Sequence, residues 1–204
     1  MNKNNKLDLV IAGVGGQGTI LASDIIGKSS VLEGLPVRAA ETHGMAQRGG
    51  SVINHVRIGT DLGSMIPDQG ADVLLALEPV EAIRYINHLS ENGIVVLNTK
   101  PVYPVTVTSS DQYPDVSEII NTLKKKYEVY PLDASELAIK AGHPQSMNVV
   151  MVGAVSSYLP ISKNRLEECI KELVPPKTVD INLKAFELGR ENISQLIETS
   201  AKKP

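Results

Sequence analysis

The chain has 204 residues, enough for one α/β domain, and 42% of them are apolar, an ordinary globular share. No Trp, one Phe and six Tyr leave few rings for base stacking, and a formal net charge of −3 gives no basic field for a phosphate backbone, so nucleic acid is not expected as a partner. Cys169 is the single cysteine, which excludes an internal disulfide and any four-cysteine iron–sulfur or zinc site built by this chain alone.

Met1 to Lys6 is polar and leads straight into a short apolar strand. No signal-peptide core or run of about 18 apolar residues follows, so a soluble, cytoplasmic protein without a membrane partner is expected. Leu7 to Ala12 reads as a buried strand, and Gly13-Val-Gly-Gly-Gln-Gly18 follows it. Leu21, Ile25 and Leu32 share one face of a helix from Thr19 to Leu32, which Gly34-Leu-Pro36 stops. Val37 to Ala40 then makes a second strand, completing a βαβ unit with parallel strands.

Glu41 to Gly50 is a polar loop, too short for a crossover helix, and Ser51 to Ile58 resumes as a strand. Gly59 to Gly63 reads as a turn, with Ser64 to Ile66 returning as a hairpin partner. Val73–Leu77, a helix over Pro79–His88 and a strand at Gly93–Leu97 repeat the βαβ pattern. Further on come a strand at Val105–Thr108, a helix at Val116–Lys126 and a strand at Glu128–Leu132. The last third carries helices at Asn148–Tyr158, Asn164–Glu172 and Val179–Glu198, with Pro175-Pro176 between the last two. The expected architecture is one α/β domain over residues 1–204. It has a Rossmann-like three-layer form, a mixed, mainly parallel sheet, and a mainly helical appendage over residues 160–204.

Gly13, Gly15 and Gly18 fit G-x-G-x-x-G between a strand and a helix, where such a loop lets a ligand approach the backbone and meet the first amides of the helix. Gly16 and Gln17 complete the loop. Two readings stay open, an anion or nucleotide seat and a packing loop without ligand. Glu41 ends the second strand, where a dinucleotide fold often keeps an acid for the ribose, and a solvated carboxylate is the plainer alternative. His43, His55, His88 and His143 have no metal-ligand spacing and read as surface or packing residues, so no metal site is expected. Cys169 has no activating neighbour and reads as a structural thiol. Asn148 opens an apolar run, and a helix N-cap is its simplest role.

Glu41-Thr-His-Gly-Met-Ala-Gln-Arg-Gly-Gly50, placed after the Gly13–Gly18 loop, resembles the γ-type domain of the 2-oxoacid:ferredoxin oxidoreductases, and within them the indolepyruvate (arylpyruvate) enzymes' small subunit. Ala71-Asp-Val-Leu-Leu-Ala76, Glu78-Pro79, Asn98-Thr99 and Asn148-Val-Val-Met-Val-Gly-Ala154 add to the resemblance, which spans residues 7 to 190. It implies an oxidoreductase that converts an arylpyruvate and coenzyme A to arylacetyl-CoA and CO2 and reduces ferredoxin. The resemblance places the [4Fe–4S] clusters, Mg and thiamine diphosphate in a large partner subunit, and one cysteine and the lack of any Gly-Asp-Gly tripeptide agree with that. This chain is then inactive alone and part of a hetero-oligomer.

Gly13, Gly15, Gly16, Gln17, Gly18, Glu41, Arg48, Gly49 and Gly50 are the candidate cofactor-binding residues, and the resemblance implies coenzyme A as the ligand of the glycine loop. Arg48 can offer a charged fork to a phosphate or, equally, pair across a subunit contact. No catalytic residue is assigned, and His43 is the one candidate. Two other readings are kept: an NAD-binding Rossmann oxidoreductase, and a non-catalytic scaffold of the same fold.

Overall fold

The computed structural model describes residues 5–43, 50–103 and 113–201. Six strands form one sheet: β1 (Leu7–Val14), β2 (Val37–His43), β3 (Ser51–Ile58), β4 (Ala71–Ala76), β5 (Leu89–Asn98) and β6 (Glu128–Leu132), in the order β2-β3-β1-β4-β5-β6. β1, β4, β5 and β6 are parallel neighbours. β3 runs antiparallel to both β1 and β2, so β2 shares the direction of β1 but does not touch it. The short span between β2 and β3 explains this. A parallel return needs a crossover of a dozen or more residues, whereas an antiparallel one does not.

The helices are α1 (Thr19–Leu32), α2 (Pro79–Tyr85), α3 (Val116–Lys124), α4 (Ala134–Ala141), α5 (Met147–Val155), α6 (Lys163–Leu173) and α7 (Val179–Ala201). Leu9 and Ile11 of β1, Leu75 of β4 and Val96 of β5 face one layer, where they meet Ile25 and Ile26 of α1, all of α5, and Phe186 of α7. The alternate residues Val10, Leu74, Val95 and Val129 face α2 and α3 through Ala82, Ile119 and Leu123. The sheet therefore has two apolar faces and helices on both, as a parallel sheet requires.

Three expectations change. Ser64–Ile66 is not a strand, because its polar groups are taken by side chains of β3. Arg57 Nη1 donates to the carbonyls of Gly63 and Met65 at 3.0 and 3.2 Å, and Ile66 N–H donates to His55 Nδ1 at 3.3 Å. The same guanidinium forks onto Asp8 at 2.8 and 2.7 Å, so a single side chain ties this segment to β1. α4 is an added helix, started by Asp133, whose side chain accepts from Glu136 N–H at 2.8 Å. α2 is shorter than expected, passing into one 3-10 turn at Ile86–His88. The strand expected at Val105–Thr108 lies outside the described residues.

The apolar run 147–155 is buried along its whole length because α7 lies directly on it. A Cβ on Gly153 would sit 2.0 Å from the Phe186 carbonyl oxygen, and one on Gly189 would sit 2.0 Å from that of Val150. The two helix backbones are in contact, and glycine is what permits it. Gly153→Ala is therefore expected to lower stability by about 3 kcal/mol in urea unfolding, since backbone atoms must move. Gly27→Ala, in open space on α1, is expected to raise it by about 0.5–1 kcal/mol.

Candidate functional site

The parallel strands β1, β4, β5 and β6 end on the same side of the molecule, the position where open α/β sheets gather their ligand loops. β1 runs through Val14, so the glycine turn proper is residues 15–18. Gly16 and Gly18 take φ values of 101° and 76°, the left-handed region that favours glycine. Gln17 folds back over the turn: its Oε1 accepts from Val14 N–H at 2.9 Å and its Nε2 donates to the Leu77 carbonyl at 3.0 Å. Gly13 lies under that side chain, where a Cβ would come within 2.9 Å of Gln17 Oε1. Gly18 is the N-cap of α1, which has no side-chain cap and no acidic residue in its first turn. The first amides of a helix lack intrahelical acceptors, so this turn offers donors and a positive dipole end to an anion.

Next to it, Gly15 N–H donates to the Gly50 carbonyl at 2.8 Å, directly after the Val14–Ser51 pair of the β1–β3 ladder. That bond brings Gly50, the end of the second motif, to the glycine turn. Ser51 carries the contact on, with its hydroxyl bonded to the Glu81 carboxylate and 2.7 Å from the Tyr85 hydroxyl.

At the tips of β4 and β5 sit two buried polar side chains. Asn98 donates to the Leu77 carbonyl at 3.0 Å and accepts from Ala134 N–H at 3.1 Å. The Glu78 carboxylate, 2% exposed, accepts from Glu81 N–H at 3.0 Å, Val102 N–H at 3.3 Å and the Tyr113 hydroxyl. Burial and then the Glu78 contact push the Tyr113 hydroxyl far above the ordinary tyrosine range, so it stays a proton donor.

Gly13, Gly15, Gly16, Gln17, Gly18 and Gly50 are thus brought together. Glu41 is exposed on β2, paired in register with Asn54 of β3. It stands two strand spacings from β1, about 10 Å, rather than on the neighbouring strand. His43 ends β2 opposite Val52, while Arg48 and Gly49 lie outside the described residues. Among the described residues, no three His, Cys, Asp or Glu side chains gather to hold a metal ion, and no helix is long and apolar enough to cross a membrane.

A family model described as pyruvate ferredoxin/flavodoxin oxidoreductase matches residues 8–192. The chain belongs to this family. It is similar to the indolepyruvate oxidoreductase subunit IorB of Archaeoglobus fulgidus, at 48% identity over 90% of this chain and 94% of that one. The subunit of the same description from Thermococcus kodakarensis is 42% identical over 93% and 97%. A 2-oxoglutarate synthase subunit KorC of Methanothermobacter thermautotrophicus is 30% identical over 92% and 95%. Among solved structures, the γ subunit of a keto/oxoacid ferredoxin oxidoreductase from Geobacter sulfurreducens has the same fold, with a TM-score of 0.70 at 24% identity, covering 93% of this chain and 99% of that one. The 2-oxoglutarate:ferredoxin oxidoreductase of Magnetococcus marinus gives 0.72 at 23% identity, over 95% of this chain and 32% of that one. Within the 2-oxoacid:ferredoxin oxidoreductase family the chain is a γ-type subunit, closely related to the IorB subunits.

In this family member the other candidates take structural places. His55 is buried under the 60–66 segment with its ring edge-on to His88 at 5.3 Å; burial first, then His88 and Arg57, lower its pKa. His143 Nδ1 accepts from Gln145 N–H and opens a 3-10 turn. Cys169 is fully buried, and burial raises its thiol pKa, as a structural thiol requires. Asn148 is not an N-cap. Ser146 holds that position, and Asn148 reaches from inside α5 to the Gly18 carbonyl at 3.1 Å. Sequence reasoning did not foresee the roles of Gln17, Glu78 and Asn98. Glu78-Pro79 with Glu81 carried a usable signal, an acidic N-cap, a proline at the first helical position and an acid in the first turn.

Glu78→Ala removes the cap of α2 and the partner of two further donors, so a loss of about 2–3 kcal/mol in urea unfolding is expected. For His55 the folded chain favours the neutral ring, so below the unfolded value of 6.5 the unfolded chain takes up protons first. The stability His55 contributes is present above pH 6.5 and is lost as pH falls through the lowered folded pKa. Unfolding measured between pH 7.5 and pH 4.5 should show a smaller loss for His55→Gln than for the natural chain.

Proposed function

We propose that this chain is the small subunit of an arylpyruvate (indolepyruvate):ferredoxin oxidoreductase. The complex converts an arylpyruvate and coenzyme A to arylacetyl-CoA and CO2 while reducing ferredoxin. The observation that carries the reading is the extent of likeness to the IorB subunits, 48% identity along nine-tenths of the chain. The likeness to 2-oxoglutarate synthase subunits is weaker, which favours an aryl substrate for the complex over 2-oxoglutarate. Thiamine diphosphate, Mg and the [4Fe–4S] clusters belong to a large partner subunit, since Cys169 is the chain's only cysteine and it is buried. When bound, those groups supply decarboxylation and electron transfer, and this chain is inactive by itself. The hetero-oligomer works in the cytoplasm, in amino-acid catabolism.

The contribution of this chain is to seat coenzyme A. The glycine turn at the strand ends supplies backbone amides for a phosphate, and the Gly15–Gly50 bond holds Gly50, the end of the second motif, beside it. Gly49 and Gly50 allow close approach, and Arg48 supplies a fixed positive fork to the coenzyme or to the partner subunit. His43 is the one side chain of the segment able to exchange a proton near pH 7. The position of Glu41 speaks against an NAD site. With β3 inserted, its carboxylate lies a strand too far from β1 to meet a ribose held by the glycine turn.

Reconstitution with the large subunit of the same organism tests the reading. Anaerobic, indolepyruvate-dependent dye reduction is expected only with both chains, and arylacetyl-CoA formation only with coenzyme A added. A loaded partner that gains no activity from this chain with aryl, branched or simple 2-oxoacids would make it a scaffold. Arg48→Ala is expected to weaken either coenzyme A binding or subunit assembly roughly tenfold; sparing both removes Arg48 from the site.

A further inference from the structure

The glycine turn is fixed by two side-chain amides, each a further donor to a carbonyl that is already bound: that of Gly18 by Ala22 N–H at 3.1 Å in the first turn of α1, and that of Leu77 by Asn98 at 3.0 Å. Asn148, 3% exposed and 130 residues away in sequence, donates from Nδ2 to the Gly18 carbonyl at 3.1 Å. Its Oδ1 accepts from Val149 N–H at 2.9 Å, so the amide is held at both ends. The fit is tight: a Cβ at position 18 would lie 2.3 Å from that same Nδ2. From the other side Gln17 bonds to Val14 N–H and to the Leu77 carbonyl. Each amide engages a backbone carbonyl that borders the turn. The Gly18 carbonyl is the first acceptor of α1 and points along the helix, and both carbonyls are bound by nitrogen donors of the protein. Both side chains are neutral, so they shape the turn without adding charge to it.

We infer that Asn148 and Gln17 are positioning residues for the glycine turn, anchoring the Gly18 and Leu77 carbonyls so that the amides at the start of α1 stand preorganised for an oxyanion. This rests on the proposed reading of the turn as the seat of a coenzyme A phosphate. Asn148 extends the device into the core, because it is carried by α5, the helix buried along its whole length under α7. A rigid helix therefore sets the turn, and local loop chemistry does not act alone. The third glycine of the motif is explained by the same contact, since it makes room for the Asn148 amide as well as supplying the left-handed φ of 76°.

The test uses the reconstituted complex and follows KM for coenzyme A separately from KM for the 2-oxoacid. Asn148→Leu removes the donor to the Gly18 carbonyl, and Gln17→Met removes the donor to the Leu77 carbonyl, neither adding charge beside the turn. Each is expected to raise KM for coenzyme A about tenfold, the loss of one net hydrogen bond, with KM for the 2-oxoacid unchanged. Asn148→Ala combined with Gly18→Ala should be less damaging than the sum of the two, because removing the amide relieves the clash. Thermal melting and subunit titration of each variant show whether the complex forms. Gln17→Met, on the half-exposed turn, carries the test should the Asn148 variants fail to assemble. If Gly18→Ala raises KM for coenzyme A but the Asn148 and Gln17 variants do not, the positioning role is wrong and the phosphate seat stands. An equal KM for coenzyme A in all three overturns the seat and the inference together. A lowered melting temperature with no change in KM would leave the two amides as fold residues only.

Discussion

The carbonyl of Leu77 is the point on which the functional end of this molecule depends. It closes β4, the strand between β1 and β5, and it receives two side-chain amides at once, Gln17 from the glycine turn and Asn98 from the tip of β5. A carbonyl has two lone pairs, and here both have protein donors in a fully buried residue. The Leu77 amide donates in turn to the Ala12 carbonyl at 2.8 Å, and Asn98 passes the connection to the start of α4 through Ala134. Three strand ends and the start of α4 are thereby joined beyond the reach of the ladder. Leaving any of these buried groups unpaired costs about 1–3 kcal/mol, so the knot is kept or lost as a unit.

Around that knot the polar groups are arranged for shape more than for reaction. Glu78 is a buried carboxylate that, among the described residues, accepts from donors of its own chain: a helix N-terminus, the Val102 amide and the Tyr113 hydroxyl. A carboxylate that accepts from that many donors acts as a fastening. Gln17, Asn98 and Asn148 are neutral and equally committed. Among the described residues, what the end of the sheet offers a ligand is backbone, in the first turn of α1. A subunit built this way suits the orienting role proposed for it, where partner-held groups do the chemistry and this chain supplies a fixed surface.

Much of this was legible in the sequence, and the failures are instructive. The apolar runs gave β1, β3, β4 and β6, and the strand–glycine–helix context located the turn, because periodicity and glycine placement are local signals. The order of the strands was less accessible. Nothing local says that β3 inserts between β1 and β2, although the short 41–50 span already limited its return to an antiparallel one. The false strand at Ser64–Ile66 came from reading a turn without its competitor. Arg57 and His55, both read as ordinary strand residues, supply the hydrogen bonds that a ladder would have supplied. α4 was announced by Asp133 and Glu136 at capping distance, a signal that was present and passed over.

The site residues divide on the same principle. Gly13 to Gly18 could be found from spacing because the constraint on them is local backbone geometry. Asn148 could not be, since its meaning comes from a partner 130 residues away, and from α5 being buried deeply enough to bring it there. Read locally it opens an apolar run and looks like a cap, and Ser146 in fact takes that position. The glycine at 153 follows the same logic one turn and a half further along. It serves no turn, but it lets α7 lie on α5 with backbone in contact, and that packing fixes the axis along which Asn148 projects. The glycines of the turn and the glycine of the helix crossing are thus parts of one arrangement. The first set leaves the amides open, and the second holds steady the helix whose side chain keeps them in place.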